Sequence, residues 1–330
     1  EQVEAGFAGN PTSGLPPLSA AFVNLSSGDF HTCSWDFGDS GTSSQCSDLT
    51  HAYTEPGTYT VTLRVSGLGG SDSEMKVSYV TVYERAEAGF AGNPTSGVAP
   101  LSAAFVNLSS GDFHTCSWNF GDGGASSQCS DLTHAYTEPG SYTVTLTVSG
   151  PGGSDSEIKA GYVTVYRRVE AGFSGNPTSG LPPLSVAFVN LSSGDFDTCS
   201  WDFGDGGTSS QCSNLTHAYD QPGTYTVTLT VSGPGGSDSE TKTGHVTVYE
   251  QVEAGFAGNP TSGAAPLSVA FANLSSGDFD TCSWDFGDGG TSSQSSDVTH
   301  AYDEPGSYTV TLTVSGPGGS DSQTKTDQIT

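Results

Sequence analysis

Positive charge is what this chain has least of. Only 8 Lys and Arg stand against 36 Asp and Glu in 330 residues, and the formal net charge is −28. So few cations cannot displace the counterions along a phosphate backbone, which excludes nucleic-acid binding. Attraction to anionic lipid is disfavoured on the same ground. Methionine occurs once, and no apolar run approaches the ~18 residues of a membrane span. No segment carries the 3.6-residue apolar period of a helix. In their place are 45 glycines, 17 prolines and many serines and threonines, the composition of a soluble chain rich in strands and loops.

Internal repetition organises the rest. Glu-Ala-Gly-Phe begins at Glu4, Glu87, Glu170 and Glu253, a constant step of 83 residues. Trp35, Trp118, Trp201 and Trp284 keep that step, as do His51, His134, His217 and His300. The implied modules are 1–83, 84–166, 167–249 and 250–330, the last two residues short of a full period. Its final strand is expected to be clipped, with an edge open to a strand from another molecule. Glu1 is expected to begin a mature chain or a fragment of a longer array.

Within a module the pattern has period two. Leu18, Ala20 and Phe22 alternate with Ser19, Ala21 and Val23; Cys33, Trp35 and Phe37 alternate with Ser34 and Asp36; Tyr59, Val61, Leu63 and Val65 alternate with Thr60, Thr62 and Arg64. Such alternation buries one face of a strand and wets the other. Turn residues separate the strands at Ser26-Ser27-Gly28-Asp29, Gly38-Asp39-Ser40-Gly41, Glu55-Pro56-Gly57 and Gly67-Leu68-Gly69-Gly70. Six or seven short strands in one module predict a small β-sandwich. A core that small calls for covalent support. Cys33 and Cys46 flank a turn; if residues whose numbers sum to 79 face each other, the two are opposed at bridging distance. Cys116 with Cys129 and Cys199 with Cys212 repeat the spacing, whereas Cys282 faces Ser295 and is left unpaired. The pairs are read as disulfides, against free buried thiols, and disulfides place the chain in an oxidising, extracytoplasmic setting.

Trp35-Asp36-Phe37-Gly38-Asp39, then Thr50-His51-Ala52-Tyr53 and Pro56-Gly57-Thr58-Tyr59-Thr60-Val61-Thr62-Leu63, resemble the PKD (polycystic kidney disease) domain, and the resemblance recurs in all four modules. Ser40 stands where the pattern has glycine, and Asn119 where it has aspartate. The resemblance implies an all-β chain of four tandem immunoglobulin-like, PKD-type sandwiches, with Tyr59 as a tyrosine corner whose hydroxyl returns to nearby backbone. Val61 takes the place of the usual inter-sheet cysteine. Only Glu84-Arg85-Ala86 separates Tyr83 from the next Glu-Ala-Gly-Phe, so the modules are expected to abut in a rod-like array of roughly 150 Å.

Chemistry is harder to find. A Ser-His-Asp grouping would have to be built four times over; His51 is read as bonded to a neighbouring loop, and the glycine-rich turns lack the lysine and helix of a phosphate loop. No cofactor is expected. Calcium is the alternative for Asp29 and Asp36, because some PKD-like domains of secreted collagenases bind it near the Trp strand, but the match is loose and lacks an Asp-x-Asp-x-Asp spacing. The plainer reading of the recurrent aspartates has Asp39 bonding its own turn and the others, Asp29, Asp36 and Asp72, solvated. Asn24, Asn107, Asn190, Asn273 and Asn214 head Asn-x-Ser/Thr sequons open to N-glycosylation, and Ser/Thr clusters such as Thr12-Ser13 could carry O-linked sugar. The function expected is a non-enzymatic extracellular or cell-surface stalk or fibre subunit, assembling with copies of itself end to end or laterally. The alternative is an adhesive region of a secreted hydrolase that holds polysaccharide or collagen, for which Phe30 and Tyr83 are the aromatic candidates.

Overall fold

Alternation in Leu18–Asn24 yields a strand with Leu18, Ala20 and Phe22 buried and Ser19, Ala21 and Val23 exposed, and this logic builds every long strand. The computed structural model describes all residues, Glu1–Thr330, as two compact units, Glu1–Tyr166 and Arg167–Thr330. Each unit contains two sandwiches, and each sandwich has a hydrophobic core of its own.

The first sandwich consists of β1 (Phe7–Asn10), β2 (Ser13–Gly14), β3 (Leu18–Asn24), β4 (Thr32–Asp36), β5 (Thr42–Ser43), β6 (Leu49–Tyr53), β7 (Gly57–Gly67) and β8 (Gly70–Val82). One sheet has the order β1-β3-β6 and the other β2-β8-β7-β4-β5. Neighbours are antiparallel except β2 and β8, which pair in parallel through Ser13↔Thr81 and Gly14↔Val82. The second and third sandwiches repeat the two sheets, and the fourth lacks the counterpart of β2. The edge expected to be open there is nonetheless occupied at its end. Thr330 N–H donates to the Thr261 carbonyl at 2.9 Å, and Gly263 N–H donates to the Thr330 carbonyl at 3.1 Å.

Facing apolar sets close the core. Trp35, Phe22, Val61, Leu63 and Val65 are fully buried. The Trp35 ring meets Phe7 edge-on at 5.4 Å and lies parallel to Phe37 at 6.0 Å, while its Nε1 donates to the Gln45 carbonyl at 2.9 Å. A buried indole is thus paired at its one polar atom, as its size and polarity require.

β1 is hydrogen-bonded to β3 on one side only, and side chains from β8 serve the other. Ala5 N–H donates to Asp72 Oδ2 and Phe7 N–H to Glu74 Oε2, both at 2.8 Å. Lys76 Nζ donates to the Phe7 carbonyl at 2.5 Å, and Gly9 N–H donates to the Tyr79 hydroxyl at 2.7 Å. Residues two apart on a strand share a face, so Asp72, Glu74 and Lys76 form a side-chain zipper along an edge that would otherwise be bare. Tyr79 joins them because the ladder shifts register between Tyr59↔Val80 and Val61↔Lys76, which sets Val77, Ser78 and Tyr79 opposite Thr60. Lys76, Lys159, Lys242 and Lys325 are the chain's only lysines. Each donates to the carbonyl of its phenylalanine and stands 4.4–4.7 Å over that ring, adding a cation–π attraction.

Glu84-Arg85-Ala86 is no linker. Tyr83 N–H donates to the Gly14 carbonyl of the first sandwich at 2.9 Å. The very next residue belongs to the second: Glu84 N–H donates to Asp112 Oδ2 at 2.7 Å, and Ala86 N–H to the Gly152 carbonyl at 3.0 Å. Any Cβ at Gly152 would stand 2.1 Å from the Glu84 carbonyl oxygen, so only glycine lets the chain pass. In the second unit Tyr249 is likewise held by Gly180, and Glu250 by Asp278. A Cβ added at Gly153 would meet Leu15 at 3.7 Å, and one added at Gly319 would meet Leu181 at 3.9 Å, so one sandwich comes close to the β7–β8-type turn of its successor within each unit.

Candidate functional site

The Trp-Asp-Phe-Gly-Asp and His-Ala-Tyr motifs meet at the β4–β5 turn. Asp36 Oδ1 accepts Gly38 N–H and Asp39 Oδ1 accepts Gly41 N–H, both at 2.9 Å. Asp39 Oδ2 lies 2.7 Å from His51 Nε2. The imidazole stacks on Phe37 at 4.1 Å and meets Tyr53 edge-on at 4.8 Å. Tyr53 hydroxyl donates to the Phe37 carbonyl at 3.2 Å, and Tyr59 hydroxyl to the Glu55 carbonyl at 2.7 Å, the latter closing the tyrosine corner. Ser40 has φ of 74°, where Gly123, Gly206 and Gly289 hold φ of 92–94° in the later copies; the glycines occupy that left-handed region without the Cβ penalty that Ser40 carries. The arrangement orients no nucleophile. Its carboxylates and its imidazole all serve to hold backbone and rings in place.

This arrangement sets an acid limit. Burial pushes the Asp39 carboxyl up, but the His51 hydrogen bond, the Gly41 N–H and the nearby imidazole outweigh it and hold Asp39 below the usual carboxylate value; Asp122, Asp205 and Asp288 behave alike. A carboxyl depressed in the folded state contributes stability above its unfolded value of about 3.9, and that contribution disappears as pH falls through the folded value. Asp122→Asn should therefore flatten the loss of stability of the second sandwich below about pH 4, read by urea titration at a series of pH values.

Disulfides join Cys33–Cys46, Cys116–Cys129 and Cys199–Cys212, each with Cα atoms 5.2 Å apart. Their register differs from the expected one. Trp35 faces Ser43 and Asp36 faces Thr42, so paired numbers sum to 78, and the ladder partner of Cys33 is Val65 on β7. β5 ends at Ser43, and Cys46 reaches Cys33 from the following loop. Asn24 steers that loop by donating Nδ2 to the Cys46 carbonyl at 2.8 Å. Cys282 is buried and free, yet Asn273 Nδ2 still donates to the Ser295 carbonyl at 2.9 Å.

The sequon asparagines Asn24, Asn107, Asn190 and Asn273 are therefore half-buried clamps, each also accepting the N–H of the second residue after it through Oδ1. Asn214 differs: it is exposed, and its Oδ1 accepts Asn190 N–H at 3.1 Å. Asp29 and Asp36 are not brought together. Asp36 caps its own turn, while Asp29 meets the amino group of Glu1 and its counterparts Asp112, Asp195 and Asp278 take the N–H groups of Glu84, Arg167 and Glu250. Nor is Asp72 merely solvated, since the Ala5 and Ser73 N–H groups hold its carboxyl low. No group of three or more His, Cys, Asp or Glu gathers into a ligand set. Phe30 packs half-buried against the core and Tyr83 is half-buried, while the large exposed apolar residues are aliphatic, with Leu25, Leu108, Leu191 and Leu274 repeating at 60–63% exposure. No helix is long and apolar enough to cross a membrane.

Sequence reasoning missed the zipper, although the recurrence of every lysine at one phase of the repeat was there to be read. Among solved structures, an I-band fragment of titin is 12% identical and aligns over 74% of this chain and 96% of its own, with a TM-score of 0.51. The N-terminal four immunoglobulin domains of a Dscam1 isoform are 13% identical over 99% of both chains, with a TM-score of 0.31. Immunoglobulin domains 1–5 of Sidekick-1 are 11% identical over 98% of this chain and 80% of theirs, with a TM-score of 0.36. At 12% identity the likeness to the titin fragment is one of fold. The PKD domain profile matches residues 2–82, 85–165, 168–248 and 250–330, which together span nearly the whole sequence, and the chain belongs to the PKD domain family.

Proposed function

We propose that this chain is a non-enzymatic extracellular structural protein, a stalk or fibre subunit whose modules set spacing. The observation that carries this reading is the junction: Tyr83 is bonded to one sandwich and Glu84 to the next, with no residue free between them. A linker of flexible residues would add reach and freedom; a junction without one transmits orientation. The Asp36, Asp39 and His51 side chains and their counterparts support the same reading, because they hold a turn in place. Disulfides favour an oxidising compartment, and the net charge of −28 keeps such chains apart until a specific contact forms. Glycans, if added to the folded chain, fit Asn214 better than the four clamped asparagines.

Electron microscopy of the full chain tests this directly. Particles should show the first and second sandwiches at one recurrent angle, and so too the third and fourth. A broad continuum of angles at either junction would refute the spacing role. Sedimentation across a concentration series would separately decide whether copies associate.

A further inference from the structure

Position 79 of the repeat is Tyr79, Tyr162, His245 and Gln328 in the successive sandwiches. In the first two, the phenol accepts the N–H of Gly9 at 2.7 Å or of Gly92 at 2.8 Å and completes the zipper. In the third, His245 Nε2 is the one buried side-chain polar atom of the chain without a hydrogen-bond partner. Its ring occupies the same niche, edge-on to Phe173 at 5.5 Å and tilted to Phe188 at 6.4 Å.

We propose that His245 makes the third sandwich an acid-sensitive link, in which protonation of Nε2 loosens Phe173–Asn176 from Gly236–Val248 while the other sandwiches stay closed. A neutral imidazole fits a niche of aromatic walls; an imidazolium adds a charge beside those walls, at an Nε2 that has no hydrogen-bond partner. The charged groups facing it are both on its own strand. Lys242 already stands over the Phe173 ring at 4.7 Å, so a second cation would sit beside the first. Glu240 is engaged by Phe173 N–H at 2.8 Å and by Lys242 at 3.7 Å. The strands packed against it contribute Phe173, Gly175 and Phe188, none of which titrates. Burial first and Lys242 second push the imidazole below its ordinary value, with Glu240 opposing. Because the folded value is the lower one, the third sandwich has its full stability above the unfolded value of about 6.5 and loses it as pH falls below that.

Hydrogen exchange read by mass spectrometry on the full chain, corrected for intrinsic rates at about pH 7.5 and about pH 5, provides the test. Protection of Phe173–Asn176 and Gly236–Val248 should fall by up to about tenfold for each pH unit below the unfolded value, while Phe90–Asn93 and Gly153–Tyr166 hold theirs. His245→Tyr, which restores the arrangement of the first two sandwiches, should abolish the fall. His245→Gln, the choice of the fourth, should lower protection at both pH values without a pH-dependent difference. Equal behaviour of the second and third sandwiches, or a fall that survives in either variant, would overturn the proposal.

Discussion

Trp118→Ala is expected to strip a large share of its stability from the second sandwich and leave the third and fourth unchanged. Trp118 is fully buried, its ring lies 5.4–6.0 Å from Phe90, Phe105 and Phe120, and its Nε1 bonds the Gln128 carbonyl at 2.8 Å. Truncating a core tryptophan costs about 3–5 kcal/mol. At about 0.05–0.15 kcal/mol per residue, a sandwich of this size has only roughly 4–12 kcal/mol to lose. Separate cores in the four sandwiches confine the damage. Hydrogen exchange should show the protection of Phe90–Asn93 and Leu101–Asn107 falling by about a hundredfold or more while Phe173–Asn176 keeps its own. Collective loss across all four copies would mean that they fold as one cooperative body.

Ser295→Cys should have the largest effect in the opposite direction. The fourth sandwich lacks the bond of the other three, but its loop is already in place, because Asn273 holds the Ser295 carbonyl at 2.9 Å as Asn24 holds that of Cys46 at 2.8 Å. Closing a loop with the sequence separation of 13 found in the others stabilises by about 3 kcal/mol on the chain-entropy account. For a domain this small that raises the melting temperature by roughly 12–24 °C. Thiol titration under denaturing, non-reducing conditions should fall from the one free cysteine present to none, and calorimetry should show the fourth transition moving up. Reductant should lower the first three sandwiches and return the variant to the parent value. A closed bond with no rise in melting temperature would show that Asn273 alone already restricts the loop.

The strands, the paired cysteines and the tyrosine corner were legible because each rests on local periodicity or spacing: Leu18–Asn24 has one possible inner face, and Tyr59 follows Pro56-Gly57. The register of β4 on β5 was not. It depends on where the ladder stops, and the chain leaves it after Ser43 under the direction of Asn24, a residue on another strand. The recurrent aspartates were misread for a similar reason. Asp29 and Asp72 resemble solvated loop residues until the backbone N–H groups of a distant segment arrive beside them, and no spacing rule records a bond between residues 67 apart, as Ala5 and Asp72 are. Lys76 is the instructive case: its phase was visible, but its partner is a main-chain carbonyl, which has no signature in the order of side chains.

Copies this similar invite exchange of equivalent strands between neighbours, the usual way tandem domains misassemble. Each cysteine pair spans 13 residues, whereas its nearest rival in the next sandwich is 83 residues downstream of the first cysteine. During synthesis, both partners therefore emerge from the ribosome well before any downstream competitor exists. A crosslink so local commits each copy to itself, so that the array can be lengthened by duplication without multiplying the ways in which it can be wrongly joined.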